Sequence, residues 1–327
     1  MDSVQNQNST LNSPHDIIHA AQTQYNWIHI ASIVCALVMM GMVLYLRCKQ
    51  PDVANTIALK LTLWIGLVDI LSRIVFLIRV NPSVLNSIVS SMPWAPHLLV
   101  YMKYFSTMWF VFLNAAIAFD LHLSFLCRRN NIKFIQRLYC PLTMLASLLL
   151  SSPFVVITNI QWNVETQTIT VSIDPIIALS LEILCFDLWV LSSILYSVAI
   201  MLAVAIHVFI SLHFIQENIE SMPVDMQDRG RQYTHSVLWI LLYPMVLMVC
   251  CPADILLSWA FLLRLKTTPY TLMVLQAEAI TTGLQGILNL LVFLLNPAVG
   301  RSLSPYRIFN TSGGSPPSPN LTGSQQA

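Results

Sequence analysis

Charged residues are scarce in this sequence. Only 9% of its 327 residues are Asp, Glu, Lys or Arg, whereas 56% are hydrophobic; ordinary soluble domains carry about 25% charged residues. So little charge cannot cover the surface of a water-soluble globule, which excludes that class of protein. The formal net charge of +1 also gives no basis for a nucleic-acid partner, because nucleic-acid-binding surfaces concentrate Lys and Arg.

Three patterns that would indicate other chemistry are missing. The seven cysteines lie within or beside apolar runs and lack the spacing of a disulfide framework or a zinc site. The HExxH pattern of zinc hydrolases does not occur, and His207 and His213 are six positions apart, so they do not share a helical face. The last apolar run, 270–296, contains no lysine for a retinal Schiff base. We therefore expect no enzyme, no metal and no cofactor.

Long apolar runs dominate what is present. A membrane-spanning helix needs about 20 mostly apolar residues. Seven segments reach that length: Trp27 to Leu46, Ile57 to Val80, His97 to Leu126, Leu138 to Thr158, Ile176 to Ile215, His235 to Leu263, and Tyr270 to Asn296. They predict an all-α fold, a seven-transmembrane helix bundle. The fifth run is far longer than one crossing requires, and we expect one continuous helix because no Gly or Pro interrupts it after Pro175.

The distribution of Lys and Arg predicts the orientation, because basic loops stay on the cytoplasmic side. Residues 1–26 and 159–175 contain neither residue type, whereas the alternate loops and the tail contain most of them. We expect an extracellular segment of 1–26, a membrane domain of 27–296 and a largely disordered cytoplasmic tail of 297–327, rich in Ser, Gly and Pro. The sequon at Asn8 fits this orientation and predicts glycosylation there.

Ionisable residues inside the predicted spans are candidates for function, because a charge in hydrocarbon is costly and usually faces the bundle interior. Asp69 lies near the middle of the second span, and Arg73 follows four positions later on the same helical face. Either the pair simply neutralises itself, or Asp69 is the hub of a buried network that holds the bundle in one of two arrangements. The other members of that network would be Asn114, Asn289 and Asn296.

A second set of charges lies in the outer halves of the predicted spans. Five helices each contribute one charge at similar depth: Arg79, Lys103, Asp187, Asp254 and Glu278. The two basic side chains could instead extend to the lipid headgroups. The shared depth favours a ligand site, which is expected to comprise Lys103, Asp187, Asp254 and Glu278 with aromatic walls of Trp109, Trp189 and Tyr196.

Two prolines interrupt the sixth span. Pro244 and Pro252 lie in the apolar run "LLYPMVLMVCCPAD", 241–254, and a proline removes a helical hydrogen bond and leaves a kink. Eight residues correspond to about 12 Å along a helix, so one kink is expected nearer the cytoplasm and the other nearer the ligand site. Asp254 would connect ligand contact to the hinge at Pro252.

Several motifs in this order resemble those of G-protein-coupled receptors. "LVDIL" at 67–71 and "LLNPAV" at 294–299 resemble the second and seventh helices of rhodopsin-like receptors, and Asp120 in "AFDLHLSFLCRR" stands near their acidic residue at the end of the third helix. "LLYPMVLMVCCP" together with "GLQGILNLLVFLLNP" is more similar to fungal glucose-sensing and cAMP-receptor-like receptors. The chain departs from the rhodopsin-like pattern at Leu121 and His122, which replace Arg and an aromatic residue, and at Gly300, which replaces Tyr.

The resemblance implies a divergent receptor of the plasma membrane that binds an unknown small extracellular ligand and activates a heterotrimeric G-protein. Movement of the sixth helix would carry the signal. The implied switch residues are Asp69, Asn114, Asp120, Pro244, Pro252, Asn289, Asn296 and Pro297. The G-protein would dock on a basic rim that also attracts anionic membrane lipid and consists of Arg128, Arg129, Lys133, Arg137, Arg229 and Arg231. A small seven-helix transporter is the alternative, although the sequence shows neither similar halves nor paired broken helices.

Overall fold

The computed structural model describes residues 25–49, 57–127, 133–163, 168–172, 174–217, 241–262, 269–296 and 299. Nearly all of these residues are helical, which confirms the expectation of a helical fold. The predicted glycosylation site Asn8, the hinge residue Pro297 and most of the 297–327 tail lie outside the described residues.

Ten α-helices make up most of the described chain. They are α1 (Asn26–Lys49), α2 (Ile57–Val80), α3 (Pro82–Ser91), α4 (Ala95–Leu121), α5 (Lys133–Ile157), α6 (Pro175–Glu182), α7 (Leu188–Glu217), α8 (Leu242–Cys250), α9 (Pro252–Leu262) and α10 (Pro269–Leu295). A π-helical turn, His122–Leu126, continues α4, and a second, Ile183–Asp187, joins α6 to α7. Two antiparallel strands, β1 (Asn159–Asn163) and β2 (Thr168–Ser172), form a hairpin.

Six helical stretches in the described ranges are long and apolar enough to cross a membrane. They are Asn26–Lys49, Leu59–Val80, Ala95–Ser124, Phe134–Ile157, Ile176–Ser211 and Gln276–Leu295. Their outer faces carry large exposed apolar side chains such as Val156 and Phe209, which water would disfavour and lipid accepts. The chain is therefore a multi-pass membrane protein.

The fifth predicted span is a single helical rod, as expected. α6, the π-turn Ile183–Asp187 and α7 follow one another without a gap, and Ile176–Ser211 extends over 36 residues. Because a π-turn widens the helix locally without ending it, the helix continues while its side-chain register shifts.

The sixth predicted span differs from the expectation. It is divided at Cys251 into α8 and α9, and its longest apolar stretch, Leu242–Leu256, is shorter than the other six. Pro252 causes this break, because its ring nitrogen has no hydrogen to donate to the preceding turn. Pro244 lies in the first turn of α8 as described, where a helix does not need the missing donor. Two kinks were predicted; the described residues show a break at Pro252 alone, and 235–240 lie outside them.

Two segments expected to be loops have regular structure. Residues 82–91 form α3, which begins at an Asn81 cap whose Oδ1 accepts hydrogen bonds from the Val84 N–H, at 3.4 Å, and from the Ser83 hydroxyl, at 2.7 Å. Pro82 at the first helical position completes this start signal. The loop after the fourth span forms the β1–β2 hairpin, so the all-α description holds for the bundle and fails at this connection.

Helix α4 occupies the centre of the bundle. It packs against α2, α5, α7 and α8, and its buried side chains include Met108, Phe110, Leu113 and Ile117. Because neighbours surround it, the polar residues that α4 carries face other helices and not lipid. This position is why charges on α4 can contact groups from several parts of the chain.

Helices α1, α2 and α10 approach closely at Gly286. The Gly286 N–H donates a hydrogen bond to Ser32 Oγ at 2.9 Å. A Cβ atom added at this glycine would lie 2.6 Å from the Ser32 carbonyl oxygen and would also overlap the Asp69 carboxylate. Only a residue without a side chain fits between these three helices, as is common where membrane helices pack closely.

We predict that Gly286→Ala destabilises the bundle by about 1–3 kcal/mol, because overpacking forces backbone shifts. Thermal unfolding of the purified protein in detergent would measure the change. Gly41→Ala is the matched control, because a Cβ at Gly41 meets nothing within 4 Å. Equal melting temperatures for the two variants would contradict the close approach.

Candidate functional site

The first polar group in the bundle is a buried set that we call the Asp69 cluster: His29, Ser32, Asp69, Arg73 and Gln285. Asp69 is fully buried, and only 4% of Arg73 is exposed. The Asp69 Oδ2 atom accepts a hydrogen bond from the Ser32 hydroxyl at 3.1 Å. Its Oδ1 atom lies 3.4 Å from Arg73 Nε, which forms an ion pair within one helix.

Arg73 connects three helices through its guanidinium group. Its Nη2 atom donates to Gln285 Oε1 on α10 at 3.3 Å, and its Nη1 atom lies 3.4 Å from His29 Nδ1 on α1. Because arginine only donates, Nδ1 of this imidazole is the acceptor. The His29 ring also stacks on Phe76, with ring centroids 3.9 Å apart. The pair on α2 is thus tied to both neighbours rather than closed on itself.

The asparagine partners predicted for Asp69 are not the ones found beside it. Asn114 donates to the carbonyl of Phe110 on its own helix at 2.8 Å, and the Asn289 amide has no hydrogen-bond partner among the described residues. Asn296 is buried at the end of α10, and its N–H donates to the Phe293 carbonyl. Membership of these asparagines in a wider network around Asp69 stays a prediction. The partners found are Ser32, which donates to Asp69, and Gln285, which accepts from Arg73, since α1 and α10 pack directly on α2.

The second polar group, which we call the acidic cluster, consists of Lys103, Glu182, Asp187, Asp254 and Glu278. Lys103 Nζ lies 3.5 Å from Asp254 Oδ1 and joins α4 to α9. The Tyr104 hydroxyl donates to Glu182 Oε2 at 3.1 Å, and the Trp259 indole N–H donates to Asp187 Oδ2. Four of the five residues were predicted from the sequence; Glu182 was missed.

The π-turn explains how one helix supplies two of these carboxylates. Glu182 ends α6 and Asp187 ends the π-turn, five positions later. In a regular α-helix, residues five apart point in clearly different directions, whereas the wider π-turn brings them closer to one face. Both side chains are accordingly buried, with 2% and 1% of their surface exposed. An acidic residue in an apolar run five positions before another was the signal that could have found Glu182.

The break at Pro252 positions Asp254. This aspartate lies in the first turn of α9, where the partial positive charge of the helix N-terminus favours a carboxylate. Backbone hydrogen bonds continue past this point, from the Cys251 N–H to the Leu247 carbonyl and from the Ile255 N–H to the Cys251 carbonyl. Asp254 therefore lies just beyond an interruption in an otherwise helical path.

The acidic cluster is short of cations. Glu182 lies within electrostatic range of Lys103, Asp187 and Asp254, and Glu278 lies within range of Lys103, Arg79 and Asp254. Oxygen atoms of three buried carboxylates have no hydrogen-bond partner among the described residues: Glu182 Oε1, Asp187 Oδ1 and Glu278 Oε2. Burying a charge without a partner is costly, so a proton, a cation or a hydrogen-bond donor at these oxygen atoms would stabilise the cluster.

The last helix links the two clusters. Glu278 and Gln285 are seven positions apart on α10, two turns along the same face. Gln285 accepts a hydrogen bond from Arg73, and Glu278 lies within electrostatic range of the same arginine. A change of charge at Glu278 is therefore felt at Arg73 without any intervening loop.

The predicted aromatic walls lie in three different environments. Trp109 is buried against Phe105 and Trp64, with ring centroids 5.3 Å and 5.9 Å away. Trp189 is 43% exposed, its N–H donates to the Leu184 carbonyl, and its ring meets Phe112 of α4 at a centroid distance of 6.3 Å. Its place in the wall of the ligand site stays a prediction.

Two residues predicted from the third and fifth spans belong to connections away from the acidic cluster. The Tyr196 hydroxyl lies within hydrogen-bond distance, 3.0 Å, of His122 Nδ1. Asp120 accepts hydrogen bonds from Gln136 Nε2, at 2.8 Å, and from the Tyr139 hydroxyl, at 3.3 Å. Asp120 therefore ties the end of α4 to the start of α5.

Little of the predicted basic rim falls in the described residues. Arg137 is exposed near the start of α5, and Lys133 begins that helix. The remaining members lie outside the described residues: Arg128, Arg129, Arg229 and Arg231.

Comparison with known proteins adds no relative. No protein-family model matches the chain, and no curated protein matches it. The two clusters and the break at Pro252 are consequently the features on which a function can rest.

We predict that Asp69 and Arg73 stabilise the bundle as a pair. Removing one partner of a buried ion pair typically costs about 3–5 kcal/mol, whereas removing both costs much less. Asp69→Asn and Arg73→Gln should each lower the melting temperature of the purified protein, and the double variant should recover part of the loss. Lys60→Gln, an exposed cation on the same helix, is the control and should leave the melting temperature unchanged. Additive losses in the double variant would show that the two residues act independently.

Proposed function

We propose that the protein is a seven-helix G-protein-coupled receptor whose extracellular ligand binds at the acidic cluster. One observation carries this proposal: the Lys103–Asp254 ion pair, at 3.5 Å, joins the central helix α4 to the first turn of α9, two residues beyond the break at Pro252. Ligand contact and the hinge are thus adjacent along the chain. Signalling requires such an element, whose balance between two arrangements a ligand can shift.

The hinge separates two differently packed halves. α8 packs on α4, α7 and α10, whereas α9 packs on α6 and α10. Because Pro252 has no N–H to hold the preceding turn, α9 can tilt with little disturbance of α8. A ligand can replace Asp254 as the partner of Lys103, or it can replace Lys103 as the partner of Asp254. Either exchange changes the contacts of α9 and biases that tilt.

The Asp69 cluster, which contacts α10 through Gln285, would respond to the changed charge at the acidic cluster. Arg73 is shared by Asp69, Gln285 and His29 at distances of 3.3–3.4 Å, which are long for charge-assisted contacts. Contacts of this length can lengthen or shorten without loss of the fold. We infer that Arg73 shifts between its partners when Glu278 gains a counter-charge.

The proposal includes a seventh span, completed by residues before α8, and an extracellular N-terminus in the plasma membrane. The excess of Lys and Arg in alternate loops supports this orientation. On the cytoplasmic side the basic rim would dock the heterotrimeric G-protein. The hydrogen bonds that Asp120 accepts from Gln136 and Tyr139 support this part, because they hold the start of α5, the helix of Lys133 and Arg137, against α4.

A small transporter is a second candidate, and one observation favours it: the discontinuous helix α8–α9 lies next to a charged site, as in many transporters. Transporters of that kind usually contain a second broken helix in the other half of the fold. Among the described residues, the other six spans are not broken in this way, and Pro141 and Pro153 lie inside α5 without ending it. Measurement of solute flux into vesicles that contain the purified protein would distinguish the two functions.

We predict that Pro252→Ala weakens signalling while leaving binding in place. The protein, reconstituted with a heterotrimeric G-protein, would be assayed for nucleotide exchange with a panel of amines, sugars, nucleotides, peptides and lipids. Stimulated exchange should fall at least roughly fivefold, the lower end of typical coupling between sites, because a continuous helix would no longer tilt at residue 252.

Pro244→Ala is the matched control, since Pro244 lies in the first turn of α8 and breaks no described helix. It should signal like the parent chain. Asp254→Ala should remove the response to the active compound. Exchange that no compound stimulates, or that Pro252→Ala and Asp254→Ala both leave unchanged in an inserted protein, would defeat the proposal.

A further inference from the structure

We propose that the acidic cluster recognises a small organic cation that carries protonated amino groups. This inference names the class of ligand for the proposed receptor site, and it rests on the proposed function in taking the acidic cluster as that site. The binding itself can be measured without a G-protein.

The strongest observation is the state of Glu278. Its residue surface is only 7% exposed, and its carboxylate makes no hydrogen bond and no ion pair within the described part of the chain. It nevertheless lies within electrostatic range of Lys103, Asp254 and Arg79. A carboxylate that is more than nine-tenths buried and has no direct partner is a vacant acceptor, which a donor from outside the chain would satisfy.

The charges around Glu278 determine the sign of that donor. Four carboxylates share the site with the cations Lys103 and Arg79. Arg73 is also within range of Glu278 but is paired with Asp69, so the formal charge is −2 when all of these groups are ionised. The described residues contain one ion pair here, between Lys103 and Asp254. An anionic ligand would increase the imbalance, whereas a cation with N–H groups supplies both the missing charge and the missing donors.

The chemistry of the walls favours an organic cation over a metal ion. No group of His, Cys, Asp and Glu in the described ranges is arranged to hold a metal. Aromatic rings lie beside the carboxylates instead. Lys103 Nζ lies over the Tyr104 ring, 5.8 Å from its centroid, and this ring packs against Phe154 and Phe186. The Trp259 indole N–H donates a hydrogen bond to Asp187. Aromatic faces next to carboxylates are a common setting for ammonium groups.

Lys103 is both partly exposed and a competitor of the ligand for Asp254. Its side chain is 34% exposed, whereas that of Asp254 is 8% exposed, so Lys103 is the more accessible member of the pair. Its ammonium group occupies the position over Tyr104 and next to Asp254 that a ligand ammonium would take. An incoming amine therefore displaces Lys103 from Asp254 and adds a contact to Glu278.

The test uses the purified full chain with 1,4-diaminobutane as the probe and butane-1,4-diol as its uncharged counterpart, with binding followed by calorimetry and by the shift in melting temperature. The diamine should bind and raise the melting temperature, and the diol should do neither. Glu278→Gln should weaken diamine binding roughly ten- to a hundredfold, as expected for loss of a charged hydrogen-bond partner. Asp174→Asn removes an exposed carboxylate that caps α6 and should leave binding unchanged.

Lys103→Gln provides a prediction of opposite sign. Because it removes the competing cation, diamine affinity should rise several-fold, which general damage to the fold would not produce. If Glu278→Gln does not yield folded protein, the Lys103→Gln variant is the deciding test. Diamine binding to Lys103→Gln that is unchanged or weaker than to the parent chain overturns the inference. Failure of the diamine to bind the parent chain, or equal binding to Glu278→Gln, also overturns it.

The outcomes separate this inference from the proposed receptor function. Diamine binding without stimulated nucleotide exchange would defeat the receptor function and support the amine site. Exchange stimulated by an uncharged compound, with no diamine binding, would support the receptor and overturn the amine site.

Discussion

The cost of a charge in hydrocarbon is the constraint on which the interior of this protein depends. Asp69 and Arg73 are almost wholly buried in α2, and such groups persist only when other groups match them. Ser32 on α1 and Gln285 on α10 supply the remaining contacts. Three helices are therefore held in one register by a polar group that none of them could bury alone.

The acidic cluster obeys the same constraint but leaves it incompletely satisfied. Lys103 forms an ion pair with Asp254. Tyr104 donates a hydrogen bond to Glu182, and Trp259 donates one to Asp187. Glu278 has no direct partner in the described chain. A fully matched network stabilises one arrangement, whereas an incompletely matched one responds to what enters it. The two clusters along α10 thus differ: the Asp69 cluster joins three helices, and the acidic cluster leaves carboxylate oxygens without hydrogen-bond partners among the described residues.

Local backbone breaks place the side chains that make this difference. The π-turn Ile183–Asp187 lets Glu182 and Asp187 share a face, and Pro252 starts a new helix whose first turn holds Asp254. Both irregularities lie in otherwise apolar helices beside the acidic cluster, as is common at functional sites. A bundle of uninterrupted helices would direct these carboxylates differently.

The sequence by itself determined the membrane-helical nature of the chain, the long fifth helix and four of the five acidic-cluster residues. Hydropathy and the rarity of intramembrane charge depend on composition along the chain, so no partner needs to be known. Only the tertiary structure decided which groups meet. It placed Ser32 beside Asp69 and Gln285 beside Arg73, and it added Glu182 to the acidic cluster. The reason is geometric: the direction of a side chain depends on helix rotation and on π-turns, and contacts between distant helices depend on close approaches such as that at Gly286, none of which a hydropathy pattern records.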